Sequence, residues 1–132
     1  MRLTPESHAM NAKPVRIEIH SVGNVLVVAP IGMMGELEYE ECEADLEAVL
    51  KRCESPGVGD IVLDLGGVEL FGSSAVGWFI ELSHRIVPRG GRMVLCRVSE
   101  VGREVLRASN LENHWPLYGT LDEAQAALLK RV

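Results

Sequence analysis

Three short runs, Val25 to Ala29, Ile61 to Leu65 and Met93 to Cys96, apolar but for Asp64, are separated by longer stretches in which apolar residues recur every three or four positions. Runs of this length read as strands, and Val25 to Ala29, apolar throughout, suits a strand covered on both faces. The stretches between them read as amphipathic helices. Strands that alternate with helices imply crossover connections, so the chain is expected to build a sheet that is at least partly parallel.

The remaining elements extend this pattern. Val15, Ile17 and Ile19 alternate with Arg16, Glu18 and His20, the period of a half-buried strand, and Gly23-Asn24 supplies a short turn into Val25. An antiparallel hairpin follows from so short a connection. From Glu36 to Cys53, the residues Cys42, Leu46, Val49, Leu50 and Cys53 mark one face of a helix. Its acidic start and its Lys51-Arg52 end complement the helix dipole, and Ser55-Pro56-Gly57 stops it. A second helix runs from Ser73 through Val76, Phe79, Ile80 and Val87 to Pro88 and Gly90-Gly91. Ser99 is placed to cap a third helix, Trp115 to Tyr118 to form a short strand kept at an edge by Pro116, and Thr120 with Glu123 to form a capping box on a fourth helix. Met1 to Pro14 shows no periodicity and reads as a loose leader, which leaves residues 15–132 as one domain.

At 132 residues, with 47% hydrophobic and 24% charged residues, the chain has the make-up of one globular domain with a core of its own. The formal charge of -6 disfavours nonspecific binding to nucleic acid or anionic lipid. No apolar run reaches the roughly 20 residues of a membrane span, and the N-terminus lacks the hydrophobic stretch of a secretory signal, so a cytoplasmic protein without membrane insertion is expected. Cys42, Cys53 and Cys96 are odd in number and form no CxxC, which suggests buried free thiols rather than disulfides or zinc ligands.

Between the third strand and the second helix, Ile61-Val62-Leu63-Asp64-Leu65-Gly66-Gly67-Val68 leads to Phe71-Gly72-Ser73-Ser74-Ala75-Val76-Gly77. This segment resembles the signature of the STAS family, in which a strand ending in aspartate leads through a small loop into Asp-Ser-Ser/Thr-Gly-Leu-Gly at the start of the second helix. Gly90-Gly91-Arg92, Val105-Leu106, Asn110-Leu111 and Leu121-Asp122-Glu123-Ala124 look like the family's later elements, and the resemblance extends from about Val15 to Leu129. It implies a single α/β domain, with a mixed, mostly parallel sheet and about four packed helices. It also implies an anti-sigma factor antagonist. In such proteins the first serine of the motif, here Ser73, is phosphorylated by an anti-sigma factor that is a serine kinase. The unmodified antagonist binds the kinase and frees the sigma factor; the phosphorylated form lets go and is restored by a phosphatase. Gly72 and Gly35 stand where the family usually has aspartates, and Ala75 where it has glycine. The alternative that the resemblance allows is an accessory subunit of a transporter ATPase or stress-signalling assembly that does not cycle through phosphorylation.

Read by themselves, the same residues give a plainer chemistry. Ser73 is a candidate helix cap, and a cap is compatible with a phosphosite because amide donors and the positive dipole end both favour a phosphate. Met33 and Met34 either form an adaptable partner contact beside the Ser73 loop or cover the core. Trp78 and Phe79 must point in different directions; Phe79 fits the core stripe, and Trp78 is the better interface candidate. Gly72, Ser73, Ser74, Met33, Met34 and Trp78 are thus the partner-binding candidates. Asp64 fits a turn hydrogen bond better than a catalytic role. His20, His84 and His114 lack metal-ligand spacing, the glycine pairs are not a phosphate-binding loop, and Gly72-Ser73-Ser74-Ala75 lacks the GxSxG pattern of a hydrolase. No catalytic residue, metal or cofactor is expected, and the sequence sets no oligomeric state.

Overall fold

The computed structural model describes residues 15–32, 34 and 42–129 of the chain. Strands β1 (Val15–Val22), β2 (Val25–Gly32), β3 (Asp60–Asp64), β4 (Met93–Cys96) and β5 (Leu117–Tyr118) form one sheet in the order β1-β2-β3-β4-β5. Four helices join or follow them: α1 (Glu43–Cys53), α2 (Ser73–Ile86), α3 (Glu100–Ala108) and α4 (Leu121–Leu129). β1 and β2 are antiparallel, with Val22 opposite Val25, and Gly23 takes the left-handed φ of 62° that their tight turn requires. The three other strand pairs are parallel, as helical crossovers demand. The predicted fold class is therefore the observed one.

β2 continues past Ala29 through Pro30 to Gly32, three residues beyond the apolar run. Proline is tolerated here for a geometrical reason. Val22 and Val25 flank a two-residue turn and so exchange hydrogen bonds, which directs Ala29 and Ile31 toward β1 and Pro30 away from it. The β2–β3 ladder ends at Val28 opposite Leu63, so no ladder bond asks for an N–H at Pro30.

The sheet is covered on both faces. Leu26, Val28, Ile61, Leu63, Met93 and Leu95 belong to a core shared with α1, α2 and Leu106 of α3. Val25, Val27, Val62, Val94 and Cys96 pack with Ala124 and Leu128 of α4. β3 and β4 are buried at every position, the reason their sequences show no alternation. The Arg89 guanidinium, just past α2, donates to the carbonyls of Glu54 (2.9 Å) and Val58 (2.8 Å), tying the end of α1 to the end of α2.

The predicted caps hold in part. Ser99 Oγ accepts from Gly102 N at 2.9 Å, and Thr120 Oγ1 accepts from Glu123 N at 3.1 Å. The return bond of the capping box is displaced: Glu123 Oε1 accepts from Gly119 N, one residue before Thr120. α1 is observed from Glu43, whereas the expected start near Glu36 lies outside the described residues, as do the leader, Met33 and Gly35. Trp115 is buried but precedes β5, which is only Leu117–Tyr118. All three cysteines are buried.

Candidate partner-docking site

The loop from Leu65 to Gly72 leaves the carboxyl end of β3 and delivers Ser73 to the start of α2. Its first turn is fixed by Asp64. Asp64 Oδ1 accepts from Gly66 N at 3.0 Å and from Arg97 Nε at 2.9 Å, and Oδ2 accepts from Arg97 Nη2 at 2.8 Å. Arg97 reaches Asp64 from the end of β4, where its backbone takes a left-handed φ of 57°, rare for a side-chain-bearing residue. The role expected for Asp64, a loop hydrogen bond, is the observed one, and the bidentate arginine adds to it.

Burial by itself raises the pKa of Asp64 and is the largest single influence on it. The Arg97 hydrogen bonds, the Gly66 amide and the Arg97 charge together outweigh burial and hold the carboxyl below the usual carboxylate range. The neighbouring Cys96 thiol is pushed up to about 12, by burial first and then by the charge and hydrogen bond of Asp64. A thiol so raised is no nucleophile at neutral pH.

The middle of the loop is held by β2 and by α3. Gly32 N donates to Gly67 O (3.0 Å), Met34 N to Leu70 O (3.2 Å), and Gly72 N to Met34 O (3.0 Å). Ser99 Oγ donates to Glu69 O at 2.8 Å while it caps α3, so one hydroxyl joins the loop to that helix. Gly67 lies against β2 so closely that a Cβ there would meet Ile31 Cγ1 at 2.9 Å. A loop with this many fixed points presents Ser73 in a defined place.

Gly72, in extended conformation (φ -108°, ψ -170°), holds the cap position of α2 and has no side chain to offer its amides. Ser73 is the first helical residue and is exposed; Ser74 behind it is half-buried. The expectation that Ser73 is the cap residue is corrected by one position. Glycine is only a few tenths of a kcal/mol poorer than serine or aspartate as a cap, so α2 keeps its start without the aspartate usual in the family. The first turn of α2 itself carries no acidic residue.

Two partner-binding candidates are buried, Trp78 against expectation and Met34 in line with the core-covering alternative. Trp78 is buried, not exposed, and its Nε1 donates to Leu46 O at 3.1 Å. α2 packs against both the sheet and α1, so Phe79 and Trp78 are both buried, their ring centroids 6.1 Å apart. The side chain of Met34 is also buried, and its contribution to the loop is made through its backbone. Trp78 and Met34 therefore offer no side-chain surface to a partner. Gly72, Ser73 and Ser74 do lie together at the loop's exit. Leu70 and Val101, both large, apolar and exposed, follow Glu69 and Ser99 in the chain and so flank the contact between those two residues. Sequence reasoning missed them; the one available signal was a leucine outside any periodic stretch.

Among the described residues no group of three His, Cys, Asp or Glu is placed to hold a metal ion, and no helix is long and apolar enough to cross a membrane. Away from the serines, a cleft of about 590 Å³ between α3 and β5 is lined by residues that include Arg103, Arg107 and His114.

No curated protein sequence matches the chain. Solved structures do. An anti-sigma-factor antagonist (STAS) domain protein from Planctomyces limnophilus is 28% identical, with a TM-score of 0.74 over 86% of this chain and 98% of its own. The anti-sigma factor antagonist SpoIIAA in its unphosphorylated form is 20% identical, with a TM-score of 0.75 over 89% and 99%. The Bacillus cell fate determinant SpoIIAA in its phosphorylated form is 19% identical, with a TM-score of 0.63 over 85% and 98%. The STAS domain family profile matches residues 16–124, which span β1 through the buried Ala124 of α4 and include the serine loop whole; this chain belongs to the STAS domain family.

Proposed function

We propose that this chain is a regulatory binding module of the anti-sigma factor antagonist kind, acting in the cytoplasm without catalysis of its own. Its partner is an anti-sigma factor that is a serine kinase, and phosphorylation of Ser73 releases that partner until a phosphatase restores the serine. The observation that carries the reading is an exposed serine, at the family's modified position, on the first turn of a helix whose preceding loop is fixed at both ends. A phosphate there meets amide donors and the positive end of the helix dipole, so α2 persists when the serine is modified. The charge then acts on docking rather than on folding. Gly72, Ser74, Leu70 and Val101 supply the surrounding contact surface.

A second reading, a STAS accessory subunit that does not cycle through phosphorylation, draws on Gly72. The family's aspartate would place a carboxylate beside the serine, and glycine leaves the kinase one acidic group fewer to engage. Calorimetric titration of the chain into a purified anti-sigma serine kinase separates the two. Saturable binding supports the antagonist; no binding to the kinase, with binding to a transporter ATPase instead, selects the accessory subunit.

A further inference from the structure

β1 is an edge strand: among the described residues, no strand pairs with it on the side away from β2. Its ladder fixes which groups that edge presents. Val22 and Val25 exchange hydrogen bonds across their two-residue turn, so His20, Glu18 and Arg16 do the same with Val27, Ala29 and Ile31. Two observations on β2 agree. Pro30, which has no N–H, stands opposite Ile17, and Gly32 N turns away from β1 to Gly67 O. The backbone groups of Ile17, Ile19 and Ser21 therefore point outward.

An exposed row of donors and acceptors is a template for another strand, which charged edge residues normally block. Here the charges alternate in sign on one face: Arg16 and Glu18 are exposed at 71% and 59%. A second, antiparallel β1 must set odd-numbered residues opposite odd-numbered ones, and the central registers differ in charge. With Glu18 on the two-fold axis, Glu18 faces Glu18. With Ile19 on the axis, Arg16 faces Val22 and has no carboxylate opposite. With Ile17 on the axis, each Arg16 faces Glu18 of the other copy, twice per pair. These contacts fall at positions without ladder hydrogen bonds, where facing Cα atoms are about 4.5 Å apart and side chains stand closest.

We propose that β1 pairs with β1 of a second copy of this chain, antiparallel and with Ile17 opposite Ile17, to give one continuous sheet across two molecules. The half-buried Ile17 then meets its own copy on the axis. The groove of about 580 Å³ between β1 and α1, lined among others by Ile17, Ile19 and Val49, meets its counterpart along the same edge. The existing Arg16–Glu18 contact within one strand, 3.4 Å long and open to solvent, is weak enough to be exchanged for the cross-strand pair.

The test is sedimentation equilibrium of the full chain and of R16E, E18R and the double variant R16E/E18R. Both sites are exposed, so the fold is kept. Wild type is expected to dimerise. Each single reversal replaces two attractive pairs by two repulsive ones and weakens the dimer about tenfold or more, and the double variant returns to within about twofold of wild type. Amide exchange at Ile17 and Ile19 slows as the dimer forms. A wild-type monomer at every concentration overturns the proposal. So does a dimer indifferent to the single reversals, or one that the double reversal leaves as weak as either single.

Discussion

Replacing Asp64 by asparagine tests whether the Asp64–Arg97 pair fixes the start of the serine loop. Asparagine keeps an oxygen for Gly66 N but presents an amide, not a second carboxylate oxygen, to the arginine. The two Arg97 bonds at 2.9 and 2.8 Å are charge-assisted, and a bond of that kind contributes about 1.5–3 kcal/mol. That figure is discounted because the Arg97 side chain is 51% exposed and finds water when released, whereas Asp64 is 6% exposed. The expected loss is about 1–2 kcal/mol, or about 4–8 °C in melting temperature for a domain of this size. The effect has a pH signature. The folded pKa of Asp64 is depressed, so its stabilisation is complete above the unfolded carboxylate value of about 3.9 and disappears as pH falls through the lower folded value. Melting curves of wild type and D64N should differ at pH 7 and converge in acid below pH 3.9. Equal melting temperatures at pH 7, or a difference that persists unchanged into strong acid, would refute the argument.

Two further outcomes follow from burial. Trp78→Phe removes the indole bond to Leu46 O and part of the packing between α1 and α2, so denaturant unfolding should show a loss of about 2 kcal/mol. Partner affinity measured well below the melting temperature should be unchanged, because Trp78 has no exposed surface; a selective affinity loss would return it to the interface. Burial pushes the Cys53 thiol up to about 11 and the Cys96 thiol up to about 12, so neither should react with a disulfide reagent at pH 8 until the protein unfolds. Rapid labelling of either in the native state would contradict their packing.

What the sequence made legible was local or periodic. The alternation of Val15 to His20, the apolar run of β2 and the spacing of Leu46, Val49, Leu50 and Cys53 each identify an element and its buried face. Ser99 could be assigned as a cap because capping needs only the next few residues. Two of the gaps concern partners far apart in the chain. Trp78 lies on a flank of α2 that a single-stripe pattern assigns to solvent, and only the approach of α1 buries it, through an acceptor 32 residues away. The Asp64–Arg97 pair spans 33 residues and depends on a left-handed turn after β4. The sequence assigns the cap to Ser73, one residue past its place at Gly72, since a cap without a side chain leaves no chemical mark. Leu70 and Val101 look like ordinary apolar residues until the fold leaves them uncovered next to the Glu69–Ser99 contact.

The central claim, that the grip on a partner is set by charge at Ser73, is tested most directly by titrating three forms of the chain into an anti-sigma serine kinase in a calorimeter. Ser73→Ala removes the hydroxyl and adds no charge, so it should bind as the unmodified chain does. Ser73→Glu is favoured by the helix dipole but brings an uncompensated carboxylate into a surface that docking desolvates; it should bind at least tenfold more weakly while its melting temperature stays within a few degrees of wild type. Equal affinity of wild type, alanine and glutamate forms would contradict the claim and leave Ser73 as no more than the first residue of a helix.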